Sequence, residues 1–237
     1  EDDGSGNGGS GNNDVLVWSD EFNGSGAINT NNWTYEIGGG GWGNQEVQSY
    51  TNSLNNVYKE NGILKIKVIK ESNNTYTSGR IITKNKFDFK YGRVDIRAKL
   101  PSLAGTWPAL WMLGANIDSV SWPNCGEIDV MEQFEDKSYV QATCHWDNNN
   151  NNANYGLPID LSTPTEFHIY SLLWTEGSIR VFLDDAEYFV MSTNNAMPFD
   201  ANFFFIFNVA MGGTNGGTID PNFTTDAMEV DYIRVYQ

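Results

Sequence analysis

The sequence predicts an all-β fold, an antiparallel sandwich, and three observations carry that prediction. Segment after segment alternates apolar and polar residues with a period of two. Clusters of Gly, Asn, Asp and Pro punctuate these segments at short spacing. Segments with a helical period are nearly absent.

The elements follow in chain order. EDDGSGNGGSGNND, residues 1–14, holds no apolar residue and reads as a flexible tether, so the folded domain is expected over 15–237. No export signal stands in the sequence, which is read as removed or left out. A Gly/Ser/Asn tether suggests a secreted protein or one tethered to the cell surface. GILKIKVIK places Leu64, Ile66 and Val68 on one face. GRVDIRAKL sets Val94, Ile96, Ala98 and Leu100 against Arg93, Asp95, Arg97 and Lys99. YVQATCHW sets Val140, Ala142 and Cys144 against Tyr139, Gln141, Thr143 and His145. Asn148 to Asn152 should be a solvated loop beyond that strand. GSIRVFLDD contributes Ile179, Val181 and Leu183. FFFIFNVAMGG is apolar on both parities and should be a central strand covered on both sides.

Composition narrows the function classes. The formal net charge of −16 argues against nucleic acid, which demands a basic footprint, and more weakly against sulfated polysaccharides. No apolar run is long enough for a membrane-spanning helix. Aromatic residues make up 14% of the chain, a share that suggests rings lining a ligand surface as well as the core. Cys125 and Cys144 fall on opposite strand parities, so no disulfide is expected between them.

GEIDVMEQ, residues 126–133, sets Glu127, Asp129 and Glu132 into an apolar strand. Strand alternation puts Glu127 and Asp129 on one face, but Glu132 arrives one residue late. A β-bulge at Val130-Met131 would return it to that face, and bulges often re-aim side chains beside active sites. Clustered buried carboxyls raise one another's pKa, which points to catalysis; an acidic surface strand or a metal site are the alternatives. Four strand intervals span roughly 13 Å, and inclined side chains could close that to the separation of about 5–5.5 Å used by retaining glycosidases.

The same segment resembles the E-x-D-x-x-E signature of glycoside hydrolase family sixteen. GGGWGNQEVQSY, GRIITKNKFDFKYGRVDIRAKLP, GTWPALWML, FFFIFNVAMGG and MEVDYIRVYQ also occur in the family's order. The set is most similar to bacterial laminarinases, the endo-1,3-β-glucanases. The resemblance implies a jelly-roll sandwich with a concave cleft that cleaves internal β-1,3-glucosidic bonds with retention, without a catalytic cofactor and as a monomer. It implies Glu127 as nucleophile, Glu132 as acid/base and Asp129 as the residue that tunes them. The pair should titrate together, Glu132 holding the proton while Glu127 stays ionised. Mixed-linkage 1,3-1,4-β-glucan or agarose as substrate, and a non-catalytic carbohydrate-binding module, remain alternatives.

Sugar rings stack on aromatic faces, and amides or arginine satisfy their hydroxyls. Trp107 and Trp111 lie four apart and share a strand face. By resemblance they line the cleft before the cleaved bond, with Asn44 and Arg80 contacting hydroxyls there. Trp122 is a further platform. His145 shares the polar parity of Gln141 and Thr143 and should point toward the acids. Asn208 interrupts an apolar run and needs partners that a cleft would supply. Gly212 and Gly213 are expected to let backbone approach the glycan. The resemblance also implies a structural Ca²⁺ away from the cleft, held by Glu21, the Gly62 carbonyl and Asp231.

Overall fold

The computed structural model describes residues 15–149 and 151–237. The predicted tether over 1–14 lies outside the described residues. The chain begins with β1 (Leu16–Asp20), β2 (Thr34–Tyr35), β3 (Gln48–Tyr50), β4 (Val57–Glu60), β5 (Ile63–Lys70) and β6 (Tyr76–Ser78). It continues through β7 (Arg80–Ile82), β8 (Gly92–Lys99), β9 (Thr106–Gly114), β10 (Glu127–Glu132), β11 (Tyr139–Asp147) and β12 (Asn152–Asp160). It ends with β13 (His168–Trp174), β14 (Ser178–Leu183), β15 (Ala186–Ser192), β16 (Phe203–Met211), the short α1 (Gly213–Gly216) and β17 (Thr225–Tyr236).

Two sheets pack face to face, as the alternating segments require. The seven-stranded sheet runs β12-β11-β10-β9-β16-β7-β2, and the ten-stranded sheet runs β15-β14-β13-β8-β17-β5-β6-β3, with β1 added on β17 and β4 on β5. The pairing is antiparallel with one departure from expectation: β3 and β6 run parallel at the edge of the larger sheet. No tight hairpin joins those two strands, so no turn dictates their direction.

One parity of each sheet makes the core. Leu64, Ile66, Val94, Ile96, Ile233 and Val235 of the larger sheet meet Met112, Ile128, Val140, Phe205 and Phe207 of the smaller one. Many rings serve this core: Trp18 stacks on Phe87 at 4.4 Å, and Phe89 and Phe203 pack edge-on to Trp174. Both cysteines are buried free thiols, as their parity predicts.

β16 is buried along its whole length, and the reason differs on its two faces. Phe203, Phe205, Phe207 and Val209 enter the core. Phe204 and Ile206 join Ile82, Trp111 and Leu113 in a second, smaller cluster on the outer face of the same sheet. That outer face is the floor of a cleft.

The three residues expected to hold a cation converge at one junction. β1 pairs with residues 233–236 of β17 and β5 with residues 225–230, so both neighbours change over at Asp231 and Tyr232. Asp231 is also the extra residue of a bulge against β8. The expected carboxylate donors are otherwise engaged. Both oxygens of Glu21 accept from Arg234, at 3.0 and 2.8 Å, and Asp231 pairs with Arg97. The guanidinium beside Glu21 holds its carboxyl below the usual carboxylate range. Both carboxylates of the expected ligand set are thus bonded to arginines here, while the strand register brings the backbone of the set together.

Candidate active site

β10 positions the acids through its two neighbours. Against β9, Asp129 sits opposite Trp111 and Met131 opposite Leu110, which leaves Val130 as the extra residue. Against β11, Asp129 faces Thr143 and Glu132 faces Gln141, again with a one-residue shift. Val130 and Met131 are both fully buried in the core. Glu132 therefore returns to the face of Glu127 and Asp129, and the three-residue interval is a bulge as predicted.

The acids open into a cleft of about 500 Å³. All ten residues expected there line it: Glu127, Asp129 and Glu132; Trp107, Trp111 and Trp122; Asn44, Arg80, His145 and Asn208. Four of the eight tryptophans belong to this wall, since Trp42 lines it too. The lining comes from strands on both sides of β10, so the cleft passes across the acids rather than ending at them.

Each glutamate receives an indole N–H. Trp107 Nε1 donates to Glu132 Oε1 at 3.0 Å, and Trp122 Nε1 donates to Glu127 Oε2 at 2.9 Å. His145 Nε2 stands 3.7 Å from Glu127 Oε1 and 3.5 Å from Asp129 Oδ2. Asp129 is 3% exposed, and its Oδ2 has no hydrogen-bond partner. One oxygen or nitrogen atom from each of Glu127, Asp129 and His145 lies within 4.8 Å of the others, so the three groups act on one another electrostatically.

Burial dominates the electrostatics. It pushes Glu127 up to about 8, helped by the charge of Asp129 and opposed by His145 and the Trp122 bond. It pushes Glu132 up to about 7, helped by Glu127 and opposed by the Trp107 bond. Burial raises Asp129 well above the ordinary carboxylate range, with Glu132 adding to it. Both glutamates are thus raised together, and the proton they hold belongs to the cluster rather than to either residue. The set can hold one proton among neighbouring carboxyls near neutral pH, which is what paired acid and base chemistry needs.

One end of the cleft was only partly legible in the sequence. The Arg80 guanidinium is sandwiched between Trp42 and Trp111, 4.9 Å from each ring centroid, and is ion-paired with Glu36. Asn208 finds the partners it needs: its Oδ1 accepts from Trp111 Nε1 at 2.7 Å and its Nδ2 donates to Tyr50 Oη at 3.1 Å. Tyr50 Oη and Gln48 Nε2 in turn donate to Glu46 Oε2. Trp42, Glu46, Gln48 and Tyr50 were missed, although Asn44, Glu46, Gln48 and Tyr50 alternate on one parity and could have been read as a polar strand face.

Gly213 has a structural role beside the expected one. A side chain at Gly213 would meet the Asn44 carbonyl at 2.6 Å, and Thr214 donates its N–H to that same oxygen at 2.8 Å. The φ of +70° at Gly213 also favours glycine. Gly213 thus lets α1 close on the loop carrying Asn44.

A sandwich with clustered carboxyls of raised pKa beneath aromatic walls is the build of a two-carboxylate glycoside hydrolase. The comparison with known proteins makes this specific. The chain belongs to the glycosyl hydrolases family 16, whose model matches residues 44–234. It is 38% identical to glucan endo-1,3-beta-glucosidase A1 of Niallia circulans, over 94% of this chain and 38% of that protein. It is 40% identical to a beta-glucanase of Rhodothermus marinus, over 94% of this chain and 85% of that protein. Among solved structures, a LamA variant from Zobellia galactanivorans in complex with laminaritriose and laminaritetraose superposes with a TM-score of 0.88. It is 40% identical, over 94% of this chain and 99% of that one. The chain thus spans little more than a third of one curated relative and most of the other.

Proposed function

We propose that the protein is an endo-acting, retaining glycoside hydrolase that cleaves internal β-1,3-glucosidic bonds of laminarin-type glucans. The observation that carries this reading is the pair Glu127 and Glu132, brought to one face by the bulge and each held by an indole N–H. The relatives at about 40% identity and the oligosaccharides bound to one of them support the glucan class. The cleft that crosses the sheet on both sides of β10 supports endo action.

In the first displacement Glu127, ionised, attacks the anomeric carbon while Glu132 gives its proton to the departing glycosidic oxygen. The C–O bond breaks and a glycosyl ester forms on Glu127. Glu132, now a carboxylate, takes a proton from water, whose oxygen attacks the same carbon and releases Glu127. Two inversions leave the β configuration. Asp129 and His145, beside Glu127, stabilise the proton distribution that each half-reaction needs. Trp107, Trp111 and Trp122 give the sugar rings stacking faces, and Asn44, Arg80 and Asn208 are placed for their hydroxyls.

Replacing Glu127 by Ser tests the roles: hydrolysis of laminarin should vanish while laminarin oligosaccharides still bind. Undiminished turnover would remove the assignment. Reducing-sugar release from laminarin, lichenan and agarose ranks the linkages, with laminarin expected first.

The backbone convergence of Glu21, Gly62 and Asp231 supports a structural Ca²⁺ held mainly through carbonyl oxygens, outside the chemistry. A melting temperature lowered by chelator and restored by Ca²⁺ is the expected result; an unchanged one rejects the ion. The secreted or surface-tethered location rests on the composition of residues 1–14, and fractionation of the source cells tests it. No helix among the described residues is long and apolar enough to cross a membrane. Action as a monomer is tested by sedimentation.

A further inference from the structure

Glu46 is a buried carboxylate in the cleft wall that the mechanism does not use. Its oxygens are bonded only by neutral donors: Asn44 Nδ2 at 3.2 Å on Oε1, and Gln48 Nε2 at 2.6 Å and Tyr50 Oη at 3.2 Å on Oε2. No Lys, Arg or His of the described residues forms an ion pair with it. Arg80, the cation at this end of the cleft, is committed to Glu36. An uncompensated buried charge costs stability unless the fold uses it.

The hydrogen bonds leading to Glu46 all point one way. Trp111 Nε1 donates to Asn208, Asn208 Nδ2 donates to Tyr50, and Tyr50 Oη donates to Glu46. A chain with this polarity needs an acceptor-only group at its end, and an ionised carboxylate is that group. Burial and the charge of Glu46 keep the Tyr50 phenol protonated, so the link stays a donor. With Tyr50 fixed as donor to Glu46, its oxygen accepts from Asn208, which sets the orientation of the amide. That leaves the amide oxygen for the Trp111 indole. Gln48 Oε1, on the other branch, accepts the Met211 N–H at 2.7 Å and anchors the end of β16 to the same cluster.

We propose that Glu46 is a positioning and specificity residue for the glucan reading above, on which this inference rests. Its charge fixes the Trp111 platform through Tyr50 and Asn208. Glu46 lines the cleft, and its Oε1 has a single protein donor; that oxygen accepts a hydroxyl from an uncharged sugar, and the charge repels sulfate or carboxylate groups. The overall acidity of the chain weakly disfavours anionic glycans; Glu46 places that discrimination at one end of the cleft.

The test is Glu46→Gln, which keeps shape and removes charge, read beside the wild type on laminarin and on partially sulfated laminarin. KM for laminarin should rise about ten- to hundredfold, the worth of one hydrogen bond to a charged group, with kcat changed far less. The indole N–H resonance of Trp111 should move in the NMR spectrum, and the handicap of sulfated over plain laminarin should shrink. Unchanged KM with an unmoved resonance and the same handicap overturns the proposal. Should Glu46→Gln not fold, Tyr50→Phe cuts the relay and keeps the charge: the Trp111 resonance should move while rejection of sulfated laminarin persists, and an unmoved resonance overturns the relay. A wild type inactive on laminarin fails the substrate reading instead, and the Trp111 resonance then decides the role of Glu46 by itself.

Discussion

Trp107 Nε1 lies 3.0 Å from Glu132 Oε1, so the ring offered to the sugar also donates a hydrogen bond to the proposed acid/base. That bond favours the ionised carboxylate and works against burial. Trp107→Phe keeps an aromatic face, smaller than the indole, and deletes the donor. Glu132 should then hold its proton to higher pH, moving the alkaline limb of the kcat/KM profile upward. Loss of a bond to a charged group should lower activity about ten- to hundredfold. Initial rates on laminarin from pH 4 to 9 check both.

The buried acids make stability depend on pH. Glu127 and Glu132 keep their protons to about 8 and 7, whereas the unfolded chain releases them near 4.5. Between those values the native state binds more protons, so stability falls as pH rises from about 4.5 toward 8. Glu127→Gln removes its share of that loss. The variant should be the more stable protein at pH 8, by on the order of a few kcal/mol, and nearly equal to wild type at pH 4. Denaturant midpoints at the two pH values decide it.

Deleting Val130 should leave the acids on one face. The pairs Asp129 with Trp111, Met131 with Leu110 and Glu132 with Ala109 already skip Val130, so its removal turns a bulged strand into a regular one. The cost is a buried side chain, about 1.5–3 kcal/mol, and measurable hydrolysis should survive. Inserting an alanine between Met131 and Glu132 instead sends Glu132 into the core. That variant should be inactive and destabilised by several kcal/mol, as circular dichroism melts and reducing-sugar assays would register.

Arg80→Lys keeps the charge but loses the flat guanidinium between Trp42 and Trp111. KM for laminarin oligosaccharides should rise about tenfold, the effect of losing roughly 1–2 kcal/mol of stacking, with kcat little changed. Isothermal titration on an inactive Glu127→Ser background measures the binding part directly.

What could be read from the sequence was whatever a strand's own alternation decides. Ile128 and Val130 against Glu127 and Asp129, or Ala142 and Cys144 against Thr143 and His145, assign faces with no knowledge of neighbours. The odd interval before Glu132 announced the bulge for the same reason. What escaped depends on distant partners. Tyr50 meets Asn208 across 158 positions, and nothing local to GGGWGNQEVQSY says that its polar face will be buried against β16. The cation residues depend on distant partners too: Glu21 and Asp231 read as oxygen ligands in the sequence, which does not announce that Arg234 and Arg97 stand beside them. The need for glycine at Gly213 likewise comes from the Asn44 carbonyl, which arrives from a loop far away in the chain.

The position of β16 between β9 and β7 bears on how the enzyme comes into being. Until residues 203–211 arrive, β7 carrying Arg80 and β9 carrying Trp107 and Trp111 have no shared neighbour, and Asn208 is missing from the groove between them. A nascent chain emerging from the ribosome therefore has no working groove until synthesis is almost complete. Such late, distant strand closure is slow, and an oligosaccharide added during refolding should gain affinity only in the last kinetic phase, together with native tryptophan fluorescence.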